Sequence, residues 1–345
     1  MRIAVIRALH LGDMLCAVPA LRALRAGFPR AEITLVGLPW ARELVAHLHR
    51  YVDVFEEFPG FPGLPERDVH PARIVGFLDR MQRRPFDIVI QLHGSGAHVN
   101  ELVALLGARW IAAFYRGDDV VSGGGLFVPW PESGTEIERL LALPRALGCP
   151  DTGVALELEV TAAHRARLRA TEASLYLGAQ PYVCIHPGAR FPSRRWSPER
   201  FAAVGDALAE RGYTVVLTGV AAEGGETAAV RHRMRAAAVD LTGALSLGAF
   251  AALIKDAALV VCNDTGTSHV AAAVGTRSVV VASGSDVARW APVDASRHRV
   301  LWHDVPCRPC MHVTCPFGHE CAAGVSVGDV LHAADSVLHS ELAHA

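Results

Sequence analysis

The feature that most constrains the fold of this chain is an alternation of short apolar strands and helices that runs twice along its 345 residues. Such strands are buried on both faces, and the crossover helices between them produce parallel sheets. The alternation is interrupted near residues 155–180, and the length suits two domains. We therefore predict an α/β protein with two Rossmann-like domains, residues 1–165 and 166–345, whose parallel sheets face each other across a central cleft.

The predicted strands are residues 2–7, 32–37, 52–55, 86–92, 182–186, 214–218, 258–262 and 278–282. Helical spacing predicts one helix over 12–26, another over 162–177 and a closing helix over 326–345. Residues 59–71 contain four prolines and two glycines, which predicts a loop. Residues 118–134 are rich in glycine and proline, and are expected to form a surface excursion or a flap.

Charge and hydropathy exclude several classes of protein. The net charge is −2, and the arginine clusters are local, so they suit one anionic group better than a nucleic acid. Arg7, His10 and Asp13 interrupt the apolar N-terminal segment, which argues against a secretion signal. No apolar stretch approaches the length of a membrane span. These features predict a cytoplasmic protein.

Parallel sheets bind ligands at the carboxyl ends of their strands. No G-x-G-x-x-G motif follows any predicted strand, which disfavours a nicotinamide or flavin enzyme. The turn after the first strand carries His10, Gly12 and Asp13. From composition alone, Asp13 is better interpreted as a helix N-cap than as a general base that accepts a proton from a substrate hydroxyl. His10 could act as that base instead, because its unperturbed pKa is near neutrality.

The loop over residues 186–196 leaves a buried strand and enters a helix with Ser197 as the expected N-cap. It contains Arg190, Arg194 and Arg195. Three arginines beside a helix N-terminus suit a diphosphate, since backbone N–H groups and guanidinium groups both bind phosphate oxygens. The alternative is three solvated surface arginines.

A second polar loop follows the strand at 258–262. Its candidate phosphate ligands are Asp264, Thr265, Gly266, Thr267, Ser268 and His269. Glycine allows a phosphate to approach the backbone, and the hydroxyl groups and free N–H groups can bind it. Asp264 could instead cap the following helix, and His269 could be a core histidine. Together with the arginine loop, this segment predicts a nucleotide-sugar site.

Four of the eight cysteines lie close together: Cys307, Cys310, Cys315 and Cys321. Thiolates at such spacings can bind zinc or iron tetrahedrally, with His312 and His319 as additional ligands. Packed, reduced thiols explain the pattern about equally well. Any metal here is expected to be structural, because the segment lies outside the predicted donor loops.

The motifs together resemble glycosyltransferase family 9, the ADP-heptose heptosyltransferases of lipopolysaccharide core assembly. Residues 5–22 are similar to the opening of that family, residues 186–201 to its second motif and residues 264–276 to its third. Residues 306–319 resemble its Cys-rich tail. The similarity extends over nearly the whole chain and is weakest over 51–180.

The resemblance implies a GT-B fold and an inverting transfer of heptose from ADP-heptose to an acceptor hydroxyl, without a metal cofactor. The C-terminal domain would bind the donor and the N-terminal domain the acceptor. The resemblance assigns the role of general base to Asp13, in place of the cap. Arg194 stands where the family usually has Lys, and Glu223 or Glu226 matches its ribose-binding acid.

The expected acceptor is a lipid A-core glycolipid, which would be bound by His10, Gly12 and His93. The protein would reach this acceptor by peripheral contact at the inner-membrane face. A protein or a secondary metabolite is the alternative acceptor, with ADP-heptose or another nucleotide sugar as donor. A non-catalytic nucleotide-sugar-binding protein is the third hypothesis.

Overall fold

The computed structural model describes residues 1–117, 124–172, 174, 177 and 180–339, and the chain divides into two compact units, Met1–Ala155 and Leu156–Ala345. Each unit contains one six-stranded sheet in which all neighbouring strands are parallel. The predicted boundary at 165/166 lies inside a helix of the second unit, Ala162–Arg169.

The first unit has strand order β3-β2-β1-β4-β5-β6. Its strands are β1 (Arg2–Ile6), β2 (Glu32–Gly37), β3 (Val54–Glu57), β4 (Ile88–Gln91), β5 (Trp110–Tyr115) and β6 (Gly125–Pro129). Its helices are α1 (Leu11–Cys16), α2 (Val18–Gly27), α3 (Ala41–His47), α4 (Pro71–Arg83), α5 (His98–Leu105) and α6 (Glu136–Ala146). The chain runs from β1 to β3 on one side and from β4 to β6 on the other, so the order reverses between β1 and β4.

The second unit repeats this topology with strand order β12-β11-β10-β7-β8-β9. Its strands are β7 (Tyr182–His186), β8 (Thr214–Leu217), β9 (Ala238–Asp240), β10 (Leu259–Asn263), β11 (Ser278–Val281) and β12 (His298–Leu301). Its helices are α7 (Ala162–Arg169), α8 (Pro198–Glu210), α9 (Gly224–Arg233), α10 (Leu247–Asp256), α11 (Gly266–Val274), α12 (Val287–Trp290), α13 (Glu320–Ala323) and α14 (Val327–Leu338). Here the order reverses between β7 and β10.

The structure corrects two predicted elements of the first unit. The single helix over 12–26 is two helices, α1 and α2, separated at Ala17. Pro19 has no N–H to donate to the carbonyl four residues earlier, and its ring crowds that carbonyl, so one continuous helix is disfavoured. The excursion or flap over 118–134 contains β6, which pairs with β5 at the sheet edge. Residues 118–123 of that stretch lie outside the described residues.

Two predicted helices of the second unit are shorter in the structure. Helix α7 ends at Arg169, where the prediction extended to residue 177. Residues 173, 175 and 176 of that stretch lie outside the described residues, as do residues 178 and 179 just after it. The closing helix is α14, Val327–Leu338, and the predicted residues 340–345 are outside the described part as well. Among the helices that are described, none is long and apolar enough to cross a membrane.

His298 on the edge strand β12 generates a prediction about stability and pH. Its ring is buried, 4% exposed, and Nδ1 lies 2.8 Å from Ser278 Oγ. Because burial disfavours the charged imidazolium, the pKa of His298 is lowered to about 4. The unfolded chain takes up this proton near pH 6.5 and the folded chain does not, so stability falls as the pH decreases from about 6.5 towards 4.

We expect His298→Asn to reduce this loss of unfolding free energy by roughly 2 to 3 kcal/mol between pH 6.5 and 4. Urea unfolding of both proteins over this pH range measures the difference. His232, exposed on α9, provides the control, since His232→Asn should retain the wild-type pH dependence. Equal pH dependence in the two variants would contradict a buried, neutral His298.

Candidate active site

Each unit has its candidate site where the strand order reverses. Loops on the two sides of a reversal diverge and leave a crevice at the carboxyl edge of the sheet. In the first unit, the loops after β1 and β4 carry the residues around Asp13 and His93. In the second unit, the loops after β7 and β10 carry the three arginines and residues 264–269. The topology thus brings the predicted motifs of each unit to one edge.

Asp13 lies in the first turn of α1 and is not its N-cap. His10 occupies the cap position, and its side chain makes no capping hydrogen bond. Asp13 is half-buried, and among the described residues no group forms a hydrogen bond or an ion pair with its carboxylate. The interpretation of Asp13 as a helix cap is therefore wrong, and the carboxylate is available to a ligand.

The backbone beneath Asp13 is held by the buried ion pair of Arg7 and Glu136. Arg7 is fully buried, and its Nη2 lies 3.1 Å from Glu136 Oε1. Its Nε donates to the Asp13 carbonyl at 2.8 Å, and its Nη1 donates to the Leu92 carbonyl. One guanidinium thus connects the first turn of α1, the end of β4 and the start of α6. The sequence predicted this connecting role for neither Arg7 nor Glu136, because the two residues are 129 positions apart in the chain.

His93 forms the other side of this site with Glu66. The Ala8 N–H donates to His93 Nδ1 at 3.1 Å, so the proton of the neutral ring lies on Nε2. That nitrogen is 3.5 Å from Glu66 Oε1. Burial raises the pKa of Glu66, but the hydrogen bond from His93 and the electrostatic effect of the two nearby imidazoles, His93 and His10, outweigh it, and the pKa is lowered overall. The structure therefore brings His10 and His93 together around Glu66.

Glu66 is the acidic residue of this site that sequence reasoning missed. It lies in the Pro-rich loop over 59–71, where no periodicity or motif distinguishes one carboxylate from another. Glu66 is 14% exposed, and its Oε2 is buried without a hydrogen-bond partner among the described residues. A buried carboxylate oxygen needs a hydrogen-bond donor, so a hydroxyl group of a ligand would suit this atom.

The buried pair of Arg7 and Glu136 generates a second stability prediction. Arg7→Met removes the guanidinium that pairs with the buried Glu136 carboxylate, and we expect the unfolding free energy to fall by about 3 to 5 kcal/mol. The double variant Arg7→Met with Glu136→Leu should recover much of this loss, because neither charge remains. Urea unfolding at pH 7 provides the measurement.

The matched control is Arg2→Met, which removes the more exposed ion pair of Arg2 and Glu32. A surface pair of this kind is worth about 0 to 1 kcal/mol. A loss in Arg7→Met no larger than in Arg2→Met would show that the buried pair does not hold the turn.

In the second unit, Asn263 joins the two candidate donor loops. It is fully buried at the end of β10, and its Nδ2 donates to the Pro187 carbonyl at 2.7 Å. Its Oδ1 accepts from the Trp196 N–H at 2.8 Å. One side-chain amide therefore binds both ends of the arginine loop, residues 186–196. The predicted N-cap Ser197 is confirmed, since its side chain accepts from the Arg200 N–H.

Asp264 does not cap α11, whose N-cap residue is Thr265. Burial raises the pKa of Asp264, and the positive charges of His269, Arg194 and Arg308 oppose the increase. The structure thus places Asp264 among basic groups of three different segments. Arg308 belongs to the Cys-rich segment, residues 307–321, which was predicted to lie outside the donor loops.

The predicted hydroxyl ligands of the second loop differ in their partners. The Ser268 hydroxyl donates to the Thr265 carbonyl at 2.7 Å, so it is used within its own helix. Thr265 Oγ1 is buried and has no partner in the described part of the chain. Thr267, Ser268 and His269 are themselves buried in the first turn of α11. The loop therefore offers Thr265, Gly266 and the backbone of that turn.

The three predicted arginines have different environments. Arg194 contributes to the charge around Asp264, and its Nη2 donates to the Cys310 carbonyl. Arg195 forms an ion pair with Glu226, and its Nε donates to the Ala189 carbonyl at 2.9 Å. Arg190 is exposed, with its guanidinium over the ring of the neighbouring Phe191. Of the three, the structure brings Arg194 to Asp264.

Glu223 lies against the start of the arginine loop. Its Oε2 accepts from the Val220 N–H at 2.9 Å and lies 3.5 Å from His186 Nε2. A Cβ atom at Gly188 would overlap this carboxylate, so any larger residue there would displace the Glu223 side chain. Burial lowers the pKa of His186, while the neighbouring Glu223 raises it.

All eight cysteines are free thiols. Within the described ranges, no three His, Cys, Asp or Glu side chains are grouped so as to hold a metal ion. The predicted zinc or iron site at Cys307, Cys310, Cys315 and Cys321 is therefore not supported.

The fold is similar to that of solved glycosyltransferases over nearly its whole length. A glycosyl transferase family 9 protein from Veillonella parvula DSM 2008 matches with a TM-score of 0.81 and 22% identity, covering 98% of this chain and 97% of that one. The ADP-heptose lps heptosyltransferase II of E. coli matches with a TM-score of 0.80 and 20% identity, covering 99% and 100%. The predicted GT-B class, with its two parallel sheets, is confirmed.

Sequence comparison identifies the family. The model of glycosyltransferase family 9 (heptosyltransferase) matches residues 77–320. Lipopolysaccharide heptosyltransferase 2 of Escherichia coli (strain K12) is 28% identical over 321 residues, 87% of this chain and 88% of that protein. The chain therefore belongs to glycosyltransferase family 9 (heptosyltransferase), as its motifs predicted, and it is a glycosyltransferase.

Proposed function

We propose that this enzyme transfers heptose from ADP-heptose to a hydroxyl group of the lipopolysaccharide inner core, with inversion and without a metal ion. Family membership supports the reaction class. The donor and the acceptor are proposed from the names of relatives, an ADP-heptose lps heptosyltransferase and a lipopolysaccharide heptosyltransferase.

The observation that carries the proposal is the free carboxylate of Asp13 on a rigid turn. Asp13 has no partner among the described residues, while Arg7 binds its carbonyl oxygen at 2.8 Å. A general base must keep a lone pair free and must be held in place to accept a proton from the attacking hydroxyl. Asp13 meets both requirements, and this step contributes about a hundred- to ten-thousand-fold in rate.

The acceptor sugar would be positioned by His10, Gly12 and His93, together with Glu66. Gly12 is buried next to Asp13, so the backbone there presents no side chain to the ligand. The unpartnered Glu66 Oε2 can accept a hydrogen bond from a second hydroxyl of the acceptor. Two fixed contacts orient a sugar better than one, because they remove its rotational freedom.

The donor would be bound by the loops of the second unit. Asp264, Thr265, Gly266 and the first turn of α11 surround the diphosphate, where backbone N–H groups favour negative charge. Arg194 stabilises the charge that develops on the leaving diphosphate. His269 adds positive charge beside Asp264. Glu223 is assigned to the ribose, while Arg195, paired with Glu226, and Arg190 are assigned to the border of the site.

Replacement of Asp13 tests the general base directly. Asp13→Asn should lower kcat for heptose transfer about a hundred- to ten-thousand-fold, because the amide accepts no proton at neutral pH. The Kd for ADP-heptose should remain unchanged, since Asp13 is not proposed to bind the donor. Transfer is followed by ADP release, and donor binding by calorimetry.

The control for Asp13→Asn is Glu101→Gln, an exposed acid in the first turn of α5. This variant should transfer heptose at the wild-type rate. If Asp13→Asn also retains full turnover, the assigned base is wrong.

A panel of ADP-, UDP-, GDP- and dTDP-sugars, tested with EDTA present, examines the donor and the metal-free mechanism. We expect ADP-heptose to be consumed at an undiminished rate with a lipopolysaccharide core acceptor. If only another nucleotide sugar is consumed, the assigned fold and reaction stand, and the assigned donor is wrong. Transfer to protein hydroxyls alone would change the acceptor, and binding without any turnover would favour the non-catalytic hypothesis.

A further inference from the structure

The Cys-rich segment, residues 307–321, follows β12 and is part of the carboxyl edge of the second sheet. The Ser193 N–H donates to the Val313 carbonyl at 3.1 Å, and the Cys310 N–H donates to the Gly284 carbonyl at 2.7 Å. A Cβ atom at Gly284 would lie 2.8 Å from Cys310 Cβ, so glycine permits the close approach. The segment therefore packs on the loops after β7 and β11 through backbone contacts.

Arg308 is held at this junction by two hydrogen bonds. Its Nη1 donates to the His303 carbonyl and its Nη2 to the Ser285 carbonyl, each at 3.0 Å. The side chain is half-buried, and its charge interacts with those of Arg194 and Asp264. Two arginines from separate segments thus interact electrostatically with the same carboxylate, beyond ion-pair distance.

The charges at this junction are unbalanced. Among the described residues, neither Arg194 nor Arg308 has a carboxylate within ion-pair distance. Burial lowers the pKa of Arg308; the nearby acidic groups, Asp304 first among them, raise it, and Arg194 lowers it further. Two half-buried guanidinium groups without paired anions are unfavourable, and a bound anion would stabilise them.

A buried hydroxyl group supplies an independent indication of a polar ligand. Ser283 is 1% exposed, and its Oγ has no hydrogen-bond partner in the described part of the chain. It lies two residues before Ser285, whose carbonyl holds Arg308. A buried hydroxyl without a partner is uncommon in folded proteins, so the loop that binds Arg308 carries an unused hydrogen-bonding group.

We propose that Arg308 and Arg194 form a two-arginine site for the diphosphate of the nucleotide sugar, with Arg308 as a binding residue contributed by the Cys-rich segment. This inference rests on the proposed function for the identity of the donor. A guanidinium carries five N–H groups, so after the bonds to backbone carbonyls each arginine still has N–H groups to donate to phosphate oxygens. The Cys-rich segment then serves to place Arg308.

The test compares wild-type protein with Arg308→Ala, Arg308→Lys and the control Arg167→Ala. Arg167 is an exposed arginine on α7 of the same unit. Calorimetry gives the Kd of ADP and of inorganic pyrophosphate, and ligand-observed NMR gives that of adenosine. In Arg308→Ala we expect the Kd of ADP and of pyrophosphate to rise about 10- to 100-fold, with adenosine unchanged. Arg308→Lys should recover part of the loss, and Arg167→Ala should match the wild type.

The outcomes separate this inference from the proposed function. If Arg308→Ala binds ADP as Arg167→Ala does, or loses adenosine and ADP equally, Arg308 does not bind the diphosphate. Pyrophosphate binding that depends on Arg308, without ADP binding, would support the inference and overturn the adenine nucleotide as donor. If the wild-type protein binds neither ADP nor pyrophosphate, both are overturned.

Discussion

Both units depend on the burial of a parallel sheet. The backbone polar groups at the ends of its central strands are buried with it, and they need hydrogen-bond partners within the protein. Water cannot supply these hydrogen bonds, so a buried side chain must do so. In the first unit Arg7 does this, through the carbonyls of Asp13 and Leu92. In the second unit Asn263 does it, through Pro187 and Trp196. Each lies at the reversal of strand order, so the groups that stabilise the fold also hold the candidate site.

This arrangement explains how reactive groups are positioned without regular secondary structure of their own. Asp13 leaves its carboxylate free because its backbone is fixed by another residue. Thr265 likewise retains an unused hydroxyl beside a rigid loop. Groups that are already oriented need little reorganisation when charge develops in a transition state. The desolvation cost of this arrangement falls on buried polar residues, such as Arg7 and Asn263, that take no part in the reaction.

The accuracy of the sequence predictions followed the length and regularity of each element. Buried strands such as β1, β7 and β10 were located well, because their apolar runs are bounded by polar turns. The short strands β9 and β12, and β6 in a glycine-rich stretch, were missed, since such segments lack a distinct period. Strand β5 was missed as well, although it is a six-residue and mostly apolar strand. The Asp13 turn shows another limit: composition favoured a helix cap, while the family motif indicated a functional carboxylate, and the structure excludes the cap.

The sequence by itself determined the alternation of strands and helices, the two-sheet fold and the family, because these depend on local periodicity and on contiguous motifs. The tertiary structure decided which polar side chains meet. Arg194 binds the carbonyl of Cys310, 116 residues away, while the adjacent Arg195 pairs with Glu226. Glu66 likewise acquires its role from His93, at the end of a different strand. Charge partners are set by the loops that converge at a sheet edge, and that convergence exists only once the chain has folded.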